Sequence, residues 1–367
     1  MEKFFFVAVA VGAFFVIALS AHGFDINNKL SVGGVLAGVY QYQQVSDPAG
    51  GKDAGRGAVA FQPEMSFKAT ENDEIFVKFG FAAGNGLNEK SSFVLDSFAA
   101  DLEDDVKDIN GRNRDYLLTA WYKHTFRLSD TSLLGVTGGL IDATDYLDDN
   151  AFSGDEYTQF MNEAIVNAPN AFVPSYDIGA ALEWNAEDFS LRGVGMKIGS
   201  DDDGNSFTFY GFQLGYNLKS SLGEGNYRMI VGWTSKDFLD PQGEQKESRR
   251  CIIFSLDQGI GELLGLWLRF GSQKDDAAIN FENIYSGGID ISGKLWGREK
   301  DNIGLGYAYL NGGNLEIDDT QVVESYVRFS LNDYLSITLD VQYMRESLND
   351  GGDSKGYIYG IRFVAGL

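Results

Sequence analysis

Cysteine and histidine are almost missing from this 367-residue sequence, which holds one of the first, Cys251, and two of the second, His22 and His124. One thiol builds no disulfide framework, and because His22 is expected to leave with the signal segment, one Cys with one His cannot furnish a usual zinc site. Cys251 reads as a small buried or lipid-facing hydrophobe. His22 falls in the leading segment expected to be cleaved, and His124 shares the parity of Tyr122 and Phe126, so it reads as an interfacial residue and not as a general base. Together these shortages argue against an enzyme. Positive charge is short as well: 29 Lys and Arg face 53 Asp and Glu, for a net charge of −24. Such a chain repels nucleic-acid phosphates, so nucleic acid is excluded as a partner. The Gly-rich stretch at 50–57, "GGKDAGRG", lacks the residue order of a phosphate-binding loop and reads as a surface loop.

Long apolar runs are lacking everywhere except at the start. "MEKFFFVAVAVGAFFVIALSAHG" carries Lys3, then an apolar run from Phe4 to Leu19, then small residues. Residues 1–23 therefore read as a secretory signal peptide cut after Gly23, with 24–367 as one exported domain. The alternative, an uncleaved anchor, is disfavoured because the run is shorter than the roughly 20 residues a spanning helix needs. Any later contact with a membrane must be made by strands.

What is abundant fits that requirement. Gly numbers 45 and aromatic residues make up 14% of the chain, a composition that favours β-structure. Alternating apolar residues recur along the chain, as in Ile75/Val77/Phe79/Phe81, Tyr227/Met229/Val231/Trp233, Leu335/Ile337/Leu339/Val341/Tyr343 and the final Tyr357/Tyr359/Ile361/Phe363/Ala365. Side chains of a strand alternate between faces, so each segment calls for an apolar medium on one side and a polar one on the other. About 16 such segments can be counted, near the 9 to 11 residues of a tilted transmembrane strand. Their connections alternate in length. Short links at 70–73, 128–132, 185–188, 297–301 and 332–333 take turns with long ones at 84–114, 142–174, 237–247, 274–283 and 312–321. A bacterial outer-membrane barrel has short periplasmic turns and long outer loops, so the expected fold is all-β: a closed antiparallel transmembrane β-barrel. An exported β-sandwich would bury the same faces in a core, but it leaves the alternation of lengths unexplained.

The loop at 142–174 is expected to carry one short helix. Phe152, Tyr157, Phe160, Met161, Ala164 and Ile165 fall near helical spacing, Asp149, Asp155, Glu156 and Glu163 lie off that stripe, and Ser153 with Glu156 fits a capping box. By the strand count this is the third outer loop, and the family resemblance given below implies that it folds inward and narrows a channel, its apolar side on the wall and its carboxylates at the aperture. The bland alternative is an outer helix that only covers the mouth.

Function is then sought on the inward parity: Glu64, Lys68, Lys78, Trp121, Lys123, Arg192, Trp267, Arg269, Asp290, Lys294, Arg328, Asp340, Gln342 and Arg362. A sugar, the solute implied by the family resemblance given next, offers hydroxyls to charged and amide groups and C–H faces to aromatic rings. Trp121 with Lys123, and Trp267 with Arg269, have that pairing. With Glu156 from the loop, the residues selected as pore-lining or solute-binding are Trp121, Lys123, Glu156, Arg192, Trp267, Arg269, Arg328, Asp340, Gln342 and Arg362. The acidic runs at 101–108, 200–205 and 316–319 offer oxygen ligands for Ca²⁺ or for bridging lipid phosphates, although "SDDDGN" lacks the full loop pattern and solvated surface is the default for such runs. No other cofactor is expected.

Two stretches, 287–312 and 322–346, resemble the C-terminal region of carbohydrate-selective porins of the OprB type. The likeness rests on Gly297, Arg298, Asp301, Gly304 and Gly306, on Glu324, Tyr326, Asp340, Gln342 and Tyr343, and on Gly360 with Arg362. The block 152–169 is similar to the family's acidic, Phe-rich stretch through Phe152, Glu156, Gln159, Phe160 and Asn162. The resemblance implies a 16-stranded, usually monomeric barrel that passes sugars across the outer membrane of a Gram-negative bacterium, though trimers are known among porins. A general or cation-preferring diffusion porin and a non-conducting adhesion barrel are the alternatives, the first because an acidic mouth attracts cations.

Overall fold

A computed structural model describes residues 24–46, 51–88, 90–200 and 204–366. The expected signal peptide, the acidic positions 201–203 and Leu367 lie outside the described residues.

Sixteen antiparallel strands close into a barrel. They are β1 (Leu30–Ser46), β2 (Ala54–Lys68), β3 (Asp73–Phe79, resumed at Phe81–Ala83), β4 (Leu117–Ser129), β5 (Ser132–Ile141), β6 (Asp177–Ala186), β7 (Phe189–Ile198) and β8 (Phe207–Ser220). The second half comprises β9 (Gly223–Thr234), β10 (Arg250–Ile260), β11 (Leu264–Gln273), β12 (Phe281–Ser292), β13 (Asn302–Gly312), β14 (Ile317–Ser330), β15 (Leu335–Leu348) and β16 (Asp353–Gly366). Each pairs with its sequence neighbour, and β16 returns to β1 in a ladder running from Val35 opposite Gly366 to Ser46 opposite Lys355. Below that ladder Phe24–Asn27 pairs with the start of β1, Phe24 opposite Val32. Closure matters because an unpaired backbone group facing lipid costs several kcal/mol.

The two faces of the wall follow the expected parity. Tyr40, Leu182, Phe212, Leu268, Tyr307, Leu339, Tyr357 and Ile361 stand exposed on the outside, an apolar band suited to lipid. Gln41, Gln213, Arg269, Thr338, Gln342 and Arg362, of opposite parity, are buried inside. His124 sits near a short turn with Nδ1 2.7 Å from Asp73 Oδ1. Cys251 is buried on the inner side, its thiol 3.6 Å from the Ala171 carbonyl oxygen.

Several boundaries differ from the sequence reading. Residues 281–283 and 317–321 extend β12 and β14 instead of belonging to loops. Lys294, expected on the inner wall, lies in a 3-10 turn (Gly293–Trp296) on the short-turn side, where it pairs with Glu262 at 2.8 Å. The larger correction concerns the connection after β3. It was expected to face outward, yet Leu87, Phe93, Leu95, Phe98 and Leu102 are all buried inside the barrel. Two inner loops, 84–116 and 142–176, thus fill much of the lumen.

Candidate channel constriction

The second inner loop does not form the helix expected from the capping-box pattern. Residues 151–160 are taken up by turns, in which Asp155 Oδ1 accepts the backbone N–H of Tyr157 at 2.8 Å and Gln159 Oε1 accepts that of Gly154 at 2.8 Å. The helix α1 spans only Glu163–Val166, and its cap is Asn162, whose side-chain oxygen accepts the Ala164 N–H. Ser153, the expected cap, is buried with its hydroxyl unpartnered.

Apolar side chains and two arginines hold this loop to the wall. Phe160 is fully buried and meets the rings of Trp267 and Tyr326 edge-on, with centroids 5.6 and 5.0 Å away. From β11, Arg269 pairs with Asp148 at 2.7 Å and donates to the carbonyl oxygens of Ile165 at 2.8 Å and Ser153 at 3.1 Å. From β16, Arg362 donates to those of Glu156 at 2.6 Å and Gln159 at 2.8 Å. A guanidinium presents five donors in a rigid fork, so it can capture several carbonyls of an irregular backbone at once. Glu324 on β14 does the converse, accepting the N–H groups of Met161 at 2.5 Å and Asn162 at 3.0 Å.

The first inner loop joins the second edge to edge. Ala99 donates to the Met161 carbonyl at 2.9 Å and Glu163 to the Asp96 carbonyl at 3.0 Å. The wall holds it through Gln41 and Gln342, both donating to the Ser97 carbonyl, at 2.8 and 2.9 Å.

Among the described residues, two large cavities flank this constriction. One of about 840 Å³ lies between the inner loops and wall residues of β1 to β3, β9, β10 and β16; the other, of about 700 Å³, opens toward the short turns at 293–301 and 331–334. Both are lined by Asp155 and Tyr157, so that segment stands at the waist between them. The larger cavity is acidic: nine carboxylate residues line it, among them Glu64, Asp101, Asp145 and Glu156, against the single ammonium of Lys78. Burial, reinforced by Asp155, pushes the Glu156 carboxyl up to about 8. Burial beside Asp142 pushes Asp145 up to about 7, and burial beside Glu163 does the same to Asp96.

The residues selected from sequence divide into three groups. Glu156 lines the larger cavity and Arg328 the smaller. Trp267, Arg269, Asp340, Gln342 and Arg362 are inward but fully buried between wall and loops, so they shape the passage without facing solute. Trp121 and Lys123 are engaged elsewhere, and Arg192 lines a small third cavity of about 180 Å³ beside Asp149. Trp121 stacks on Phe76 at 5.0 Å, Lys123 pairs with Glu183 at 2.5 Å, and Arg192 reaches Asp149 at 3.3 Å. Neither expected Trp–cation pair forms a solute platform: Lys123 turns to β6, and Arg269 lies 5.9 Å from the Trp267 ring under the loop. Sequence selection passed over Arg228, buried between Asp149 at 2.7 Å and Asp257 at 2.6 Å. Its parity opposite Tyr227 and Met229 was the available signal. Among the described residues no group of three or more His, Cys, Asp or Glu side chains is disposed to hold a metal ion.

Comparison with known proteins agrees with this geometry. The chain is 31% identical over 293 residues to an uncharacterized protein of Aquifex aeolicus, covering 79% of this chain and 82% of that one. The high-pH structure of Pseudomonas putida OprB is similar with a TM-score of 0.71 at 14% identity, over 92% of this chain and 94% of that chain. The outer-membrane channel DcaP of Acinetobacter baumannii gives a TM-score of 0.58 at 8% identity, over 95% and 100%. Residues 9–363 match the model of the carbohydrate-selective porin, OprB family, and the chain belongs to that family of outer-membrane channels for small solutes.

Proposed function

We propose that the protein is a passive channel for neutral sugars, working as a single barrel. The observation that carries this reading is the segment Asp155 to Tyr157, which lines two large cavities, one on either side of it, inside one closed barrel. A sugar crossing it exchanges its water for carboxylates and amides one group at a time, with no step that needs energy beyond its own gradient. Residues 1–23 are removed on export, and the exposed apolar band of the wall is solvated by outer-membrane lipid. Sugar titration of the ion current through single channels in a planar bilayer tests the reading. Glucose should interrupt the current in a saturable way, whereas current unchanged by any sugar would overturn it.

One observation favours a second reading, a cation-preferring diffusion porin: carboxylates outnumber ammonium groups nine to one around the larger cavity. Acidic walls raise the local concentration of cations. The two readings part on saturable sugar block, which only the first requires.

A further inference from the structure

We propose that Asp290, Asn302 and Arg328 form a second subsite for a neutral, polyhydroxylated solute, below the waist and facing the short turns. They come from adjacent strands, β12, β13 and β14, with Asn302 directly opposite Arg328 in the ladder. All three line the cavity of about 700 Å³. Asn302 donates to Asp290 Oδ2 at 2.6 Å and the Tyr326 hydroxyl donates to the same oxygen at 3.2 Å, which fixes the carboxylate through that oxygen. Two polar atoms here are buried without a partner, Arg328 Nε and Asn302 Oδ1. A buried donor or acceptor left unmade costs about 1–3 kcal/mol, so a pair of them beside a cavity is a standing offer to a ligand.

The offer has a definite chemistry. Arg328 supplies donors, the Asp290 carboxylate and the Asn302 amide supply acceptors, and the charges of Arg328 and Asp290 cancel, so hydroxyl groups that both donate and accept are satisfied while a charged solute gains no net attraction. Phe152, projecting from the inner loop, lines the same cavity and is seated against Gly265, where a side chain would overlap its ring. Its ring gives the C–H face of a pyranose a flat surface. Glu299, Asp301, Lys300 and Asp333 are near; of these Asp301 is paired with Arg298 and Lys300 with Asp333. The subsite rests on the sugar-channel reading and extends it: a solute leaving the acidic waist would be caught once more before release.

The test is bilayer recording with D-glucose added first to one compartment and then to the other, for wild type, Arg328→Met, Arg328→Lys and Asp290→Asn. Wild type should be blocked from both sides. Arg328→Met and Asp290→Asn should each weaken the block from the short-turn side about tenfold, with less than twofold change from the loop side, and Arg328→Lys should lie between. Equal block by wild type, Arg328→Met and Asp290→Asn from both sides overturns the subsite and leaves the sugar channel standing. Absence of glucose block in wild type overturns the sugar channel and the subsite with it.

Discussion

Arg362 donates to the carbonyl oxygen of Glu156 at 2.6 Å, tying the last strand to a loop 206 residues earlier in the chain. With Arg269 it makes the loop a part of the wall, so the passage is set by how firmly these two cations grip backbone oxygens.

Arg362→Met should loosen that grip while keeping the volume of the side chain. Carbonyls of Glu156 and Gln159 would lose their donor at about 1–3 kcal/mol each. Single-channel current should become larger and noisier than in wild type, which recording at fixed voltage will read.

The helix cap offers a second handle. Asn162→Ala removes the acceptor for the Ala164 N–H and the donor to Gln342 at 3.0 Å. About 1 kcal/mol is expected for the cap and a comparable loss for the buried hydrogen bond. Urea unfolding of the barrel in lipid vesicles should show the midpoint shifted down.

Trp121→Ala separates the present picture from the pairing read in the sequence. Because the indole stacks on Phe76 and Lys123 is held by Glu183, the variant should lose about 2–3 kcal/mol of stability. Its affinity for glucose, measured by current block, should stay within twofold of wild type.

Acidity should act on selectivity and on loop packing together. Glu156, Asp145 and Asp96 titrate near 8, 7 and 7 in the folded protein, against roughly 4 for free carboxyls. Folded values raised in this way mean that the folded loop binds more protons than an unfolded one between about pH 4 and 8. The packing contribution of these groups is therefore complete below about pH 4 and is lost as pH climbs through 7 to 8. Zero-current potentials in a KCl gradient should show K⁺ preference growing from pH 5 to pH 9, with current noise growing alongside it.

Much of this architecture was legible because a barrel wall imposes a strict period of two and a strict alternation of link lengths. Tyr357, Tyr359 and Ile361 could be assigned outward and Arg362 inward from parity alone. Parity says nothing about which inward side chains touch. Trp121 and Lys123 share a face, but the Lys123 side chain passes over Gly135 of β5, which has no side chain to block it, and reaches Glu183 two strands away on β6. The first inner loop escaped notice because Leu87, Phe93, Leu95 and Phe98 follow no helical or strand period; their burial comes from the second loop, which no local pattern encodes. Ser153 and Glu156 met the capping pattern, yet the wall arginines and the Asp155 turn claimed that backbone first.

Liposome swelling tests the central claim most directly. Proteoliposomes placed in isotonic glucose should swell several times faster than protein-free ones, and the rate should fall steeply from glucose to a tetrasaccharide because the waist at Asp155 to Tyr157 limits size. Swelling no faster than in protein-free liposomes would contradict the account.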